Sequence, residues 1–88
     1  MYEVVYSKTA LKEIPKLKAA HLDDKAKTLI EILRLDPFQS PPSYEKLVGD
    51  LDGLYSRRIN VQHRLVYEVC EEKHIVKIYS MWTHYETL

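Results

Sequence analysis

The second half of the chain contains three β-rich segments joined by connections too short to cross a sheet. The segments are Tyr55–Ile59, Arg64–Val69 and His74–Met81, and the polar triplets Asn60–Gln62 and Glu71–Lys73 lie between them. A parallel neighbour needs a crossover of about a dozen residues, whereas an antiparallel neighbour needs only a tight turn. The sequence therefore predicts an antiparallel meander, which limits the fold to classes built around such a sheet.

The first half of the chain predicts one strand and two helices. Residues 2–6 are a short run of β-forming residues, and Ser7 follows in a position suited to capping a helix. Apolar residues then recur at helical spacing, first at Leu11, Ile14 and Leu17, and later at Leu22, Ala26, Leu29 and Leu33. Pro15 is expected to kink or limit the first helix, and Pro37 to end the second. The order β-α-α-β-β-β predicts an α+β domain in which two helices pack on one face of an antiparallel sheet.

A long connection separates the second helix from the meander. Residues 36–53 contain three of the four prolines and both glycines of the chain. Connections of this length inside a small domain are uncommon and tend to carry functional residues. We therefore expect part of any functional site to lie in this segment.

Composition restricts the class of protein. A chain of 88 residues, with 45% hydrophobic and 30% charged residues, predicts a single folded domain over residues 1–88. Cys70 is the only cysteine, which excludes an internal disulfide and fits a reducing cytoplasm. No secretory signal and no apolar run of roughly 20 residues is present, so we expect a cytoplasmic protein without a membrane partner. The scattered histidines and the absence of a Gly-rich phosphate loop predict neither a metal site nor a cofactor.

Positive charge is concentrated in one part of an otherwise neutral chain. The 13 basic residues balance the 13 acidic ones, yet residues 53–67 contain Arg57, Arg58 and Arg64 and no acidic residue. Alternation along a strand places Arg64 opposite the apolar Leu65 and Tyr67, and it places Arg57 and Arg58 on opposite faces. One of this pair can join Arg64, and parity leaves open which. The arginines either decorate a solvated sheet or form a focused site for an anion.

Four short motifs resemble one known family. The chain reads YSRRI at 55–59, HRLVY at 63–67, HY at 84–85 and DPF at 36–38. Together they resemble the YoeB/Txe family of bacterial toxin–antitoxin toxins, which belongs to the RelE-like superfamily of mRNA interferases. The resemblance extends over nearly the whole chain and implies the RelE-like fold.

The resemblance also implies an activity and a set of site residues. It implies a ribosome-dependent endoribonuclease that cleaves mRNA through attack by the ribose 2′-OH, without a metal. By position, Glu45 corresponds to the general base, Arg64 to the group that stabilises the phosphate, and His84 to the general acid. Arg58 and Tyr85 correspond to substrate-binding positions. Arg57 joins the candidate binding residues, in a ribosome-contacting or a structural role.

Partners follow from the same resemblance. They are a cognate antitoxin of the YefM/Axe or RelB-like kind, the bacterial ribosome with its mRNA, and operator DNA reached only through the antitoxin complex. Two other functions stay open for the predicted scaffold. One is a ParE-like toxin that binds DNA gyrase without cleaving RNA, and the other is a catalytically inactive co-repressor that binds the antitoxin. Glu45 and His84 favour the nuclease, since a gyrase poison needs neither a base nor an acid.

Overall fold

A five-stranded sheet carries two helices in this protein. The computed structural model describes residues 1–82. The elements are β1 (Glu3–Tyr6), α1 (Lys8–Ala19), α2 (Asp23–Leu35), β2 (Tyr44–Lys46), a short 3-10 turn (Gly49–Leu51), β3 (Leu54–Arg58), β4 (Arg64–Cys70) and β5 (Ile75–Ser80). The predicted α+β class, with two helices packed on the sheet, is confirmed.

The strands lie in the order β1-β5-β4-β3-β2. As predicted, β3, β4 and β5 form an antiparallel meander. The sheet as a whole is mixed, because β1 pairs in parallel with β5. A further strand, β2, forms within the connection that the sequence presented as irregular, and it pairs antiparallel with β3. This pairing extends the sheet and brings part of the connection beside the meander.

The core lies between the helices and one face of the sheet. Its buried members are Ala10, Leu17, Ala26, Leu29, Ile30 and Leu33 from the helices, and Ile59, Leu65, Tyr67, Val76, Ile78 and Met81 from the sheet and its connections. The inward orientation predicted for Leu65 and Tyr67 is confirmed. Within residues 1–82, no helix has the length and apolar character needed to cross a membrane.

Helix α1 packs on the sheet with only part of the face predicted for it, since Leu17 is buried and Ile14 packs against the core but Leu11 does not. Its buried residues are Ala10, Glu13 and Leu17, whereas Leu11 is 52% exposed. Ser7 caps the helix as expected, since its hydroxyl oxygen accepts a hydrogen bond from the Ala10 amide at 3.0 Å. The helix continues past Pro15 to Ala19. The buried face of α1 therefore carries a carboxylate, and that carboxylate points at the sheet.

Candidate active site

Two arginines face each other on the side of the sheet away from the helices. Arg58 and Arg64 are directly opposite in the antiparallel β3–β4 pair, so their side chains share one face. Arg58 is exposed and Arg64 is half-buried. Arg64 donates a hydrogen bond from Nη1 to the carbonyl oxygen of Asn60 at 3.3 Å. Within residues 1–82 neither guanidinium lies within salt-bridge distance of a carboxylate.

The short strand β2 brings a carboxylate to the same face. Glu45 lies opposite Ser56 in the β2–β3 pair, and Ser56 precedes Arg58 by two positions on β3. Residues two apart on a strand point the same way, so Glu45, Ser56 and Arg58 are aligned on one face. A cleft of about 270 Å³ forms there, lined by Ser43, Tyr44, Glu45, Ser56, Arg58 and Arg64. The cleft thus combines one acidic group with two guanidinium groups.

Arg57 lies on the opposite face, away from this cleft. Its side chain is only 1% exposed, and it donates hydrogen bonds to the carbonyl oxygens of Pro42 at 2.6 Å, Pro37 at 2.9 Å and Gln39 at 2.9 Å. Its guanidinium carbon also lies 5.1 Å from the centre of the Tyr44 ring. A buried charge is tolerable when several oxygens accept its hydrogen bonds. Arg57 therefore binds residues 37–42 on the face of the sheet opposite the cleft. Arg58 is the member of the pair that shares a face with Arg64.

Three of the six predicted site residues meet in the cleft. They are Glu45, Arg58 and Arg64. Arg57 does not reach the cleft, while His84 and Tyr85 lie outside the described residues. The sequence-based reasoning missed Ser56, although its two-residue spacing from Arg58 could have placed it on this face. Among residues 1–82, no group of three or more His, Cys, Asp or Glu side chains is arranged to hold a metal ion.

Tyr67 binds the connection before β2 at the same carbonyl group as Arg57, that of Pro37. Its hydroxyl donates a hydrogen bond to the carbonyl oxygen of Pro37 at 2.9 Å, beside the Arg57 guanidinium. Burial raises the pKa of the Tyr67 phenol to about 12, although the positive charge of Arg57 acts in the opposite direction. Because residues 37–42 lead directly into β2, these two side chains help to fix the strand that carries Glu45.

The raised pKa of Tyr67 predicts a specific loss of stability in alkali. Between an ordinary pKa of 10.0 and the folded-state value of about 12, the unfolded chain releases the phenolic proton while the folded chain retains it. This contribution to stability is therefore complete below pH 10 and is lost as the pH rises toward 12. Urea unfolding across this range should show a steeper fall in the free energy of unfolding for wild type than for Tyr67→Phe. Equal pH slopes in the two proteins would contradict this assignment.

The end of β5 runs beside the first half of β4, the strand that carries Arg64. Ser80 pairs with Val66, two residues after Arg64 on β4. Beyond the strand, the Trp82 ring stacks on the imidazole of His63, with ring centres 4.1 Å apart and planes 18° from parallel. His63 directly precedes Arg64 in the sequence, so the Trp82 ring contacts the residue before this arginine. His84 follows Trp82 by two positions in the sequence.

Comparison with known proteins identifies the family. The protein-family model described as the YoeB-like toxin of bacterial type II toxin–antitoxin systems matches residues 12–85 of this chain. The chain belongs to this family. A Toxin YoeB from Synechocystis is 40% identical over 58 residues, which cover 66% of this chain and 65% of that relative. The chain therefore matches just under two thirds of the length of this curated relative.

Solved structures of YoeB-like toxins share the whole fold. A YoeB/ParE toxin from Agrobacterium tumefaciens superposes with a TM-score of 0.85 at 27% identity, and the match covers 94% of this chain and 99% of that one. A YoeB–YefM complex from Staphylococcus aureus gives a TM-score of 0.80 at 30% identity, covering 97% of this chain and 99% of that one. The motifs YSRRI at 55–59 and HRLVY at 63–67 therefore lie on the scaffold that these YoeB-like toxins share.

Proposed function

We propose that this protein is a ribosome-dependent endoribonuclease that cleaves mRNA and thereby inhibits translation. The observation that carries the proposal is the cleft in which Glu45 shares one sheet face with the facing pair Arg58 and Arg64. Phosphodiester cleavage needs a base for the attacking hydroxyl and fixed positive charge at the phosphate. Membership of the YoeB-like toxins supports the same activity.

Each residue has a defined step in the proposed reaction. Glu45 accepts the proton of a ribose 2′-OH, and the 2′-oxygen attacks the adjacent phosphorus. The bond from phosphorus to the 5′-oxygen breaks, and His84 donates the proton that this oxygen takes up. Arg64, helped by Arg58, donates hydrogen bonds to the non-bridging oxygens as negative charge develops there. The products are a 2′,3′-cyclic phosphate and a 5′-hydroxyl end, and the substrate itself supplies the nucleophile.

The proposed partner that silences this site is an antitoxin of the YefM/Axe or RelB-like kind. Arg58 and Arg64, which outnumber the single carboxylate of Glu45 in the cleft, form a surface to which an acidic or extended segment would bind, and such a segment would block the cleft. The Staphylococcus aureus relative is a YoeB–YefM complex, which supports a partner of this class. Operator DNA would be contacted only through the toxin–antitoxin complex.

Mapping cleavage on ribosome-bound mRNA tests the proposed activity. Wild type should cut the message at the ribosomal decoding site, and His84→Gln should reduce the rate by about 10²–10⁴-fold, because the leaving oxygen loses its acid. His21→Gln, a change of the same type at an exposed position between α1 and α2, is the matched control and should leave the rate unchanged.

Other outcomes distinguish the remaining functions. Intact mRNA together with inhibition of gyrase would overturn the proposal in favour of a ParE-like toxin. Intact mRNA together with binding of antitoxin and operator, and without growth arrest, would identify a co-repressor.

A further inference from the structure

Ser56 lies buried at the floor of the cleft, and within residues 1–82 its hydroxyl has no hydrogen-bond partner. The residue is 2% exposed, whereas Glu45 and Arg58 at the rim of the same cleft are exposed. Buried polar side chains in folded proteins nearly always have a partner, so one that lacks a partner needs an explanation. Because Ser56 lines the cleft, the missing partner would be a group bound in the cleft.

Strand pairing places Ser56 between the acidic and the basic groups of the cleft. It is directly opposite Glu45 in the β2–β3 pair, and neighbouring strands are about 4.8 Å apart. Arg58, which faces Arg64, follows two positions further along the same face of β3, at roughly 7 Å. A ligand that contacts Glu45 at one end and the two guanidinium groups at the other therefore passes over the Ser56 hydroxyl.

A ribonucleotide has the two groups that fit this arrangement. Its 2′-OH and its 3′-phosphate are attached to neighbouring carbons of the ribose, so a phosphate at Arg58 and Arg64 and a 2′-OH at Glu45 leave the 2′-oxygen beside Ser56. A hydroxyl has one proton to donate and two lone pairs. The 2′-OH can therefore donate to Glu45 and accept from Ser56 with one lone pair, while its other lone pair attacks the phosphorus.

We propose that Ser56 recognises the ribose of the nucleotide that is cleaved, by donating a hydrogen bond from its hydroxyl to the 2′-oxygen. The inference rests on the proposed function, since it names the atom of that substrate which Ser56 contacts. The contact orients the 2′-OH so that its proton points at Glu45, and no covalent bond of Ser56 forms or breaks. It also lets the cleft distinguish RNA from DNA, which lacks the 2′-oxygen.

Single-turnover cleavage of ribosome-bound mRNA measures the loss of this contact. Ser56→Ala should lower the rate by about tenfold, the effect expected when one hydrogen bond between neutral groups is removed. Ser40→Ala is the matched control, because it removes the same group from an exposed position that does not line the cleft, and it should retain the wild-type rate. A wild-type rate in Ser56→Ala would overturn the proposal.

Binding of mRNA without cleavage tests the ribose contact itself. Glu45→Gln lacks the proposed base, and it should bind ribosomes carrying unmodified mRNA about five times more tightly than ribosomes whose mRNA has a 2′-deoxynucleotide at the cleaved position. Addition of Ser56→Ala should lower this preference to about twofold or less, because the donor to the 2′-oxygen is then absent. An unchanged preference in the double variant would overturn the contact.

Urea unfolding tests, without any RNA, whether the Ser56 hydroxyl lacks a partner in the free protein. Ser80 is the matched comparison, because it is also buried but its hydroxyl donates to the Glu13 carboxylate at 3.1 Å, which accepts from the Met81 amide as well. Ser80→Ala should lower the urea midpoint, whereas Ser56→Ala should leave it unchanged or raise it, because no hydrogen bond is lost. Equal lowering in both variants would overturn the proposal.

The cleavage and binding assays together distinguish failure of this inference from failure of the proposed function. Intact mRNA with wild type, combined with a preference for the 2′-OH that depends on Ser56, would overturn the nuclease and support the ribose contact. Cleavage by wild type, combined with a preference that does not depend on Ser56, would support the nuclease and overturn the ribose contact.

Discussion

Arg64→Ala is expected to lower the rate of mRNA cleavage by about 10²–10³-fold, the range seen when one preorganised donor to a developing oxyanion is removed. Arg64 lies in the cleft with Glu45 and opposite Arg58. Within residues 1–82, the one hydrogen bond of its side chain is the long contact to the Asn60 carbonyl at 3.3 Å, so removing this side chain should disturb the fold little. Single-turnover cleavage on stalled ribosomes measures the effect on the chemical step.

Three further variants show whether the loss reflects phosphate contact. Arg64→Lys retains the charge but not the forked guanidinium, so it should recover only part of the rate. Arg58→Ala should cost less than Arg64→Ala, because Arg58 is proposed to assist rather than to lead. Arg34→Ala removes an arginine on α2 whose ion-pair partner is Glu31 at 3.5 Å, and it should leave cleavage unchanged. Wild-type cleavage by Arg64→Ala would remove Arg64 from the mechanism.

The two-residue period of a strand predicted much of the cleft. Parity placed Arg64 on the face opposite Leu65 and Tyr67, and this is confirmed. Parity also separated Arg57 from Arg58 but left open which of them joins Arg64. The choice depends on the carbonyl oxygens of residues 37, 39 and 42, which receive the Arg57 guanidinium. Every residue has a backbone carbonyl, so the sequence does not show which carbonyls lie near an arginine. The folded path of residues 37–42 therefore determines that Arg57, and not Arg58, faces away from Arg64.

Two features of the sheet, the strand β2 and the parallel pairing of β1 with β5, could not be predicted from the sequence, because each depends on contacts between separate parts of the chain. β2 is three residues long, and two of those residues are Glu45 and Lys46, so neither hydrophobicity nor alternation marks it as a strand. Its existence depends on pairing with β3, which Arg57 supports from behind by fixing residues 37–42. The parallel pairing of β1 with β5 brings together two strands that are about 70 residues apart in the sequence. No short turn constrains that pairing, so local patterns could not predict its direction.

The buried face of α1 shows the limit of reasoning from hydrophobicity. Apolar spacing selected Leu11, Ile14 and Leu17, whereas the helix buries Ala10, Glu13 and Leu17. A carboxylate counts as polar in any such pattern. Its burial becomes understandable only when its two donors at the end of β5 are known. A residue that breaks a hydrophobic pattern in this way is explained by its tertiary contacts, and such residues are expected where a fold serves a function.

Arg57→Ala is expected to lower the free energy of unfolding by about 3 kcal/mol, because it opens a cavity at a buried position and removes the side-chain donor to two partly buried carbonyl groups. These two carbonyls are those of Gln39 and Pro42, whereas the Pro37 carbonyl keeps the hydrogen bond from the Tyr67 hydroxyl. A loss of this size is a large share of the roughly 5–15 kcal/mol that stabilises a typical domain. Urea unfolding at neutral pH measures it directly.

Arg58→Ala is the matched control, since it removes the same side chain from the next position of the same strand. Arg58 is exposed and faces the like charge of Arg64, so its loss should change the free energy of unfolding by no more than about 0.5 kcal/mol. The two variants should therefore differ in the assay that they affect. Arg57→Ala should mainly lower the free energy of unfolding, and Arg58→Ala should mainly lower the rate of mRNA cleavage. Equal stability of the two variants would contradict the structural role of Arg57. Since residues 37–42 lead into β2, any loss of cleavage in folded Arg57→Ala would come from displacement of Glu45, and a second change at Glu45 should then add little to it.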